Sequence, residues 1–165
     1  MGAPTPSASF TGQQKKLWEI YTDALAALNH KLDRCLKEEA NIKLAEYRIL
    51  AALMVSASTP DSAPDSVVRM RDLARATRVS ASRLTYQINV LAENGWVTKV
   101  QVPDDRRGKG VSITQLGRQV YRGAEPVYTR EVQHAVFSDF DPRAAGAVTE
   151  FSRSILDRVE QHTKR

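Results

Sequence analysis

Met70-Arg71-Asp72-Leu73-Ala74-Arg75-Ala76-Thr77, followed after Arg78 by Val79-Ser80-Ala81-Ser82-Arg83-Leu84-Thr85-Tyr86, has the texture of two short helices meeting at a tight corner. Trp96-Val97-Thr98-Lys99-Val100-Gln101-Val102 then alternates well enough to be a strand, and Gly110-Val111-Ser112-Ile113 is its return. Between them lies a turn, Pro103-Asp104-Asp105-Arg106-Arg107-Gly108-Lys109-Gly110. Helix, turn, helix and hairpin is a form that enters a DNA major groove. The hairpin tip gathers Arg106, Arg107 and Lys109 within four residues, and like charges at that spacing repel unless an anion neutralises them. Projecting furthest from the body, they can reach a phosphate or a narrow minor groove. Asp105, two residues before Arg107, is placed to brace the tip and aim that arginine.

Charge follows the same division. The whole chain carries +5 with a sequence pI near 9.5. Arg69 to Arg118 holds ten basic residues against four acidic ones, so this segment carries +6 and the remainder −1. A basic middle on a near-neutral scaffold is the distribution of a nucleic-acid-binding lobe. At 165 residues and 42% hydrophobic, the chain suffices for one compact unit with a substantial core.

Other classes recede. Cys35 is the single cysteine and cannot close an intramolecular disulfide, so a reducing, cytoplasmic setting is expected. No run approaches the roughly 18 apolar residues of a membrane span, and the N-terminus lacks the basic and apolar regions of a secretory signal. His30, His134 and His162 are far apart without metal-ligand spacing, and there is no glycine-rich phosphate loop or nucleophile motif. No cofactor, metal or enzymatic activity is expected.

Working outward, residues 1–12 read as a disordered tail or expression leftover. From about Gln13 to Glu39, Leu17, Ile20, Tyr21, Ala24, Leu25, Leu28, Leu32 and Cys35 or Leu36 recur at helical spacing and predict a long amphipathic helix. A second helix is predicted over Leu44 to Ala57, nearly apolar all round from Ile49 to Val55 and so central. Ser58 to Ser66 is a loop by composition, and Val67-Val68 a short strand. The third helix is Met70 to Thr77. The fourth starts at a cap of Ser80 or Ser82 and ends before a C′ glycine, Gly95. Thr114 caps a fifth helix, which Pro126 should kink or interrupt. Asp141-Pro142 opens the sixth.

On a wheel of about 100° per residue, Leu84, Ile88 and Leu91 of the fourth helix face the core. Ser82, Tyr86 and Asn89 face away, flanked by Arg83 and Thr85. These side chains are of the kinds that read base edges, though an ordinary solvated helix face would have the same pattern. The expected DNA-contacting set is Arg71, Ser80, Ser82, Arg83, Thr85, Tyr86, Gln87, Asn89, Arg106, Arg107 and Lys109.

Asp105-Arg106-Arg107-Gly108-Lys109-Gly110-Val111-Ser112-Ile113-Thr114-Gln115-Leu116-Gly117 resembles the wing signature of the MarR family, the multiple-antibiotic-resistance-regulator type of winged helix-turn-helix protein. That signature runs Asp-x-Arg, a short spacer, then Val-x-Leu-Thr-x-x-Gly, with Ile113 here in place of leucine. Met70-Arg71-Asp72-Leu73-Ala74 and Leu91-Ala92-Glu93-Asn94-Gly95-Trp96-Val97 resemble the family's third helix and the end of its recognition helix. Two departures stand out: the long loop from Ser58 to Ser66, and Lys43 where a capping Ser or Thr often opens the second helix.

The resemblance implies a mainly α fold with a small β-hairpin wing and six helices. It implies an N-terminal dimerisation helix (13–43), a winged helix-turn-helix lobe (44–116) and C-terminal dimerisation helices (117–165). It further implies a homodimer that binds a near-palindromic double-stranded DNA operator, with Arg107 in the minor groove and the fourth helix in the major groove. Release by a small phenolic, aromatic or antibiotic-like effector is also implied, its pocket lined from the first, second and fifth helices. Trp18, Tyr21, His30, Tyr47, Met54, Tyr121 and Tyr128 are candidates for that pocket, though aromatic residues at helical spacing equally build cores and dimer interfaces. Two other readings stay open: a redox-sensing repressor using Cys35, and a winged-helix module for protein–protein association.

Overall fold

The computed structural model describes residues 9–57, 67–101 and 109–163. Residues 1–8 of the expected tail, the loop from Ser58 to Ser66, and the hairpin tip with Asp105, Arg106 and Arg107 therefore lie outside the described residues. Six α-helices and three short strands follow in the order α1 (Gly12–Ala40), α2 (Leu44–Ala57), β1 (Val68–Arg69), α3 (Met70–Thr77), α4 (Ala81–Glu93), β2 (Val97–Gln101), β3 (Lys109–Ile113), α5 (Gln115–Val132) and α6 (Ala145–Thr163). The chain divides into two compact units at Glu131/Val132. No described helix is long and apolar enough to cross a membrane.

In the first unit, α1 opens one residue earlier than expected. Thr11 accepts from the backbone N–H of Gln14 while the Gln14 side chain returns the bond to the Thr11 N–H, a reciprocal cap that holds two otherwise orphan donors. Its inner stripe is buried only toward the C-terminal end, at Leu32 and Leu36. Ile49, Leu50 and Leu53 make α2 the buried centre, packed against α1, α3 and β3, and Leu73 of α3, Leu84, Ile88 and Leu91 of α4, and Val111 and Ile113 of β3 are buried in the same unit.

Lys43 at the start of α2 offers no capping oxygen, yet the helix end is satisfied. Glu46 accepts from the Lys43 N–H at 2.9 Å, and Asp33 reaches across from α1 to accept from the Leu44 N–H at 2.9 Å. Burial would raise the Asp33 pKa, but Lys37 and the Leu44 N–H overcome it and hold the carboxyl below its ordinary value. Stability from this contact is therefore present above the unfolded carboxylate pKa and is lost as pH falls through the lower folded value. Asp33→Ala should cost about 1 kcal/mol near neutral pH, the usual worth of a helix cap. Thermal melts should show that difference shrinking below about pH 4.

The sheet has the order β1-β3-β2, all antiparallel, with β3 in the middle. Val97 pairs with Ile113 and Gln101 with Lys109, so the hairpin aims its open end past Lys109. The third strand, Val68–Arg69, pairs with Val111 and Gly110 and ties the entry of α3 to the wing.

Thr114 joins wing, recognition helix and α5. Its hydroxyl donates toward the carbonyls of Gly95 (2.7 Å) and Trp96 (3.0 Å), and its oxygen accepts from the Gly117 N–H (3.0 Å) as the cap of α5. Gly117 packs against the Trp96 carbonyl so closely that a Cβ would collide with it.

Helix α5 runs from Gln115 to Val132, so Pro126, expected to kink or interrupt it, does not interrupt it. Proline forfeits the bond to the Arg122 carbonyl, but both residues lie on an exposed face where water can serve that oxygen. Buried Ala124 and Val127 on either side keep the helix seated. The irregularity comes later, as a π-helical turn over Gln133–Phe137.

The second unit contains that turn, a 3₁₀ turn at Pro142–Ala144 and α6. Asp141 caps the 3₁₀ turn by accepting from the Arg143 N–H at 3.0 Å, and Pro142 occupies its first position. Val148, Phe151, Leu156 and Val159 of α6 remain exposed within this unit.

Candidate nucleic-acid interface

Helix α4 is pinned at both ends. Ser80 accepts from the Arg83 N–H at 3.4 Å, with the Ser82 hydroxyl 3.3 Å away. At the other end Gly95 takes φ +73°, its N–H bonds Ala92 O at 3.0 Å, and the Trp96 N–H bonds Leu91 O at 2.9 Å. This is the Schellman arrangement, and its left-handed residue favours glycine.

Between these caps the helix has two faces. Leu84, Ile88 and Leu91 are 0–2% exposed, whereas Ser82, Arg83, Thr85, Tyr86 and Asn89 are exposed, Tyr86 at 69%. Burial of three large aliphatics orients the helix, so the polar stripe points outward by default. Hydrogen bonds then set what the stripe can offer. Thr85 spends its hydroxyl hydrogen on the Ala81 carbonyl (2.8 Å), leaving an acceptor outward. Asn89 Oδ1 accepts from Lys99 Nζ at 2.7 Å.

The remaining expected contacts are dispersed. Lys109 is exposed on β3, and Arg71 is exposed on α3, with a loose contact to Asp72 at 3.6 Å. Gln87 stands apart from the outward stripe. It is half-buried, and its Oε1 is enclosed without a donor.

Gln87 and Arg83 both line a cavity of about 700 Å³, together with Tyr47, Arg48, Val79 and Tyr128 among others. Tyr47 stacks on Tyr128 at 4.6 Å and on Tyr121 at 5.5 Å. Burial first, then the neighbouring tyrosines, push the Tyr47 phenol well above its ordinary pKa, so it stays protonated. Of the seven pocket candidates, Tyr47 and Tyr128 line this cavity. Trp18, Tyr21, His30, Met54 and Tyr121 do not. The cavity draws on α2 and, through Tyr128, on α5, as the resemblance implies, but takes the α3–α4 corner and the recognition helix in place of α1.

Cys35 is half-buried, and its sulfur lies within 4.8 Å of carboxylate oxygens of Glu39 and Glu131. Both acids already hold cations. Glu39 binds Arg130, while Glu131 binds Lys31 at 3.1 Å and Arg130 at 3.0 Å. Lys31 first and Arg130 second hold the Glu131 carboxyl below its ordinary pKa. The group works as an ion-pair lattice between α1 and α5.

A family model described as MarR family matches residues 40–108, from the last residue of α1 to the wing. The fold superposes on Sco3205, a MarR family transcriptional regulator from Streptomyces coelicolor solved with DNA, at TM-score 0.83 and 27% identity over 93% of this chain and 92% of that one. The fold is the winged helix-turn-helix of MarR family transcriptional regulators, a DNA-binding class that is not enzymatic, and the family match falls on the winged lobe. Two further solved structures share the fold. AbsC from the same organism has TM-score 0.78 and 23% identity over 96% of this chain and all of that one. CouR from Rhodococcus jostii RHA1, solved with p-coumaroyl-CoA, has TM-score 0.69 and 18% identity over 82% of this chain and 88% of that one. No curated protein sequence matches it.

Proposed function

We propose that this chain is a homodimeric MarR family repressor that holds a near-palindromic operator and releases it when a small aromatic or phenolic molecule enters the cavity beside α4. Leu17, Trp18, Ile20 and Leu25 of α1, and separately Val148, Phe151 and Val159 of α6, are exposed apolar side chains that a second copy would cover. Two winged lobes would then meet half-sites about one helical turn apart. Sco3205 was solved with DNA and CouR with an aromatic thioester, which supports both kinds of partner.

The observation that carries the reading is the position of Arg83. It is exposed on the flank of the outward stripe and also borders the cavity with Gln87 and Tyr128. An effector that engages its guanidinium withdraws it from the DNA, and the enclosed Gln87 Oε1 offers an acceptor to an effector hydroxyl.

Arg83→Ala should lower operator affinity by about 1–3 kcal/mol, the worth of one good base contact, and relax preference at one position in each half-site. Selection from randomised duplexes checks both effects. An unchanged base preference would remove Arg83 from the readers. Sequencing fragments retained by the wild-type protein, with and without phenolic ligands, tests the release.

A further inference from the structure

Lys99 on β2 donates from Nζ to Asn89 Oδ1 on the recognition helix at 2.7 Å. An ammonium group has donors and no acceptor, so this contact settles which end of the carboxamide faces the strand. Oδ1 is committed to the lysine, and Nδ2 keeps both N–H donors, with no acceptor for them among the described residues. Asn89 is exposed and follows Ser82 and Tyr86 at helical spacing, so it lies on the outward stripe. Thr85, Asn89, Lys99 and Lys109 also line one cleft of about 270 Å³ between α4 and the wing.

An asparagine with both ends free reads adenine through two bonds, accepting from N6 and donating to N7. Lys99 takes one of the two lone pairs of Oδ1 and holds that oxygen toward β2, so the Nδ2 donors are the end of the amide that the strand does not hold. We propose that Lys99 is a positioning residue that turns the donor end of Asn89 outward, favouring guanine, whose groove edge offers two acceptors, over adenine. The inference rests on the reading that α4 enters the major groove.

Selection from randomised duplexes, run with the full chain as wild type, Lys99→Met, Lys99→Arg and Asn89→Ala, tests it. Wild type and Lys99→Arg should share guanine at one position per half-site, since arginine also only donates. Asn89→Ala should flatten that position alone. Lys99→Met frees the amide oxygen and should move the preference there toward adenine by roughly tenfold. A Lys99→Met variant with weakened binding and unchanged base preferences would assign Lys99 to phosphate contact only and overturn the proposal. So would adenine at that position in the wild type. If wild type enriches no sequence at all, the DNA-reading role of α4 fails and the proposal with it.

Discussion

Gly117→Ala should destabilise the winged lobe by roughly 1–3 kcal/mol, the usual cost of forcing extra volume into a packed site. An added Cβ would meet the Trp96 carbonyl, and Ile113 Cγ1 at 2.9 Å, neither of which has room to give. Shifting the first turn of α5 to relieve the clash pulls Thr114 off Gly95 and Trp96. Trp96 is also the residue whose N–H closes the end of the recognition helix, so the strain passes directly to α4. For a chain of this size each kcal/mol lowers Tm by about 2–4 °C, and calorimetry reads it. Gly123→Ala is the matched control. Nothing lies within 4 Å of its Cβ position, and a mid-helix alanine is worth about 0.5–1 kcal/mol over glycine, so Tm should rise. The same substitution six residues apart should thus have opposite signs.

The second large effect is on DNA affinity and needs no mutation. Arg71, Arg83, Lys99 and Lys109 are exposed on α3, α4 and the wing strands, and Arg106 and Arg107 belong to the same basic segment. In the proposed homodimer, two such lobes would bring enough cations to neutralise several phosphates, and each neutralised phosphate releases counterions. A protein making six to ten phosphate contacts loses about 10³–10⁵ in affinity between roughly 50 and 200 mM salt. Fluorescence anisotropy on one duplex over that range should give a steep linear fall of log affinity with log salt. A nearly flat line would mean that these cations serve the surface and no polyanion.

Much of this was legible in the sequence because it depends on local periodicity. The bounds of α3, the inward triad of Leu84, Ile88 and Leu91, the glycine at Gly95 and the cap at Thr114 follow from residue type and spacing over a single turn or two. What escaped depends on contacts distant in sequence. Asp33 caps α2 from eleven residues upstream because α1 and α2 pack side by side, so a missing Ser or Thr at Lys43 looked like a defect. Lys99 reaches Asn89 only once strand β2 is set beside α4, and nothing in the spacing of ten residues announces it. Pro126 pointed to a break that an exposed face tolerates. The cavity beside α4 takes in Tyr47 and Tyr128, two of the aromatic residues the sequence singles out, but also the α3–α4 corner of Ala76, Thr77, Arg78 and Val79, which no aromatic spacing marks.

The most direct measurement is a titration of the protein against two duplexes of equal length at one physiological salt concentration. One carries the promoter beside the protein's own gene and the other an unrelated sequence. The account predicts binding to the promoter duplex tighter by about 10³-fold or more, the margin by which specific sites exceed non-specific DNA. Equal affinity for the two would contradict it.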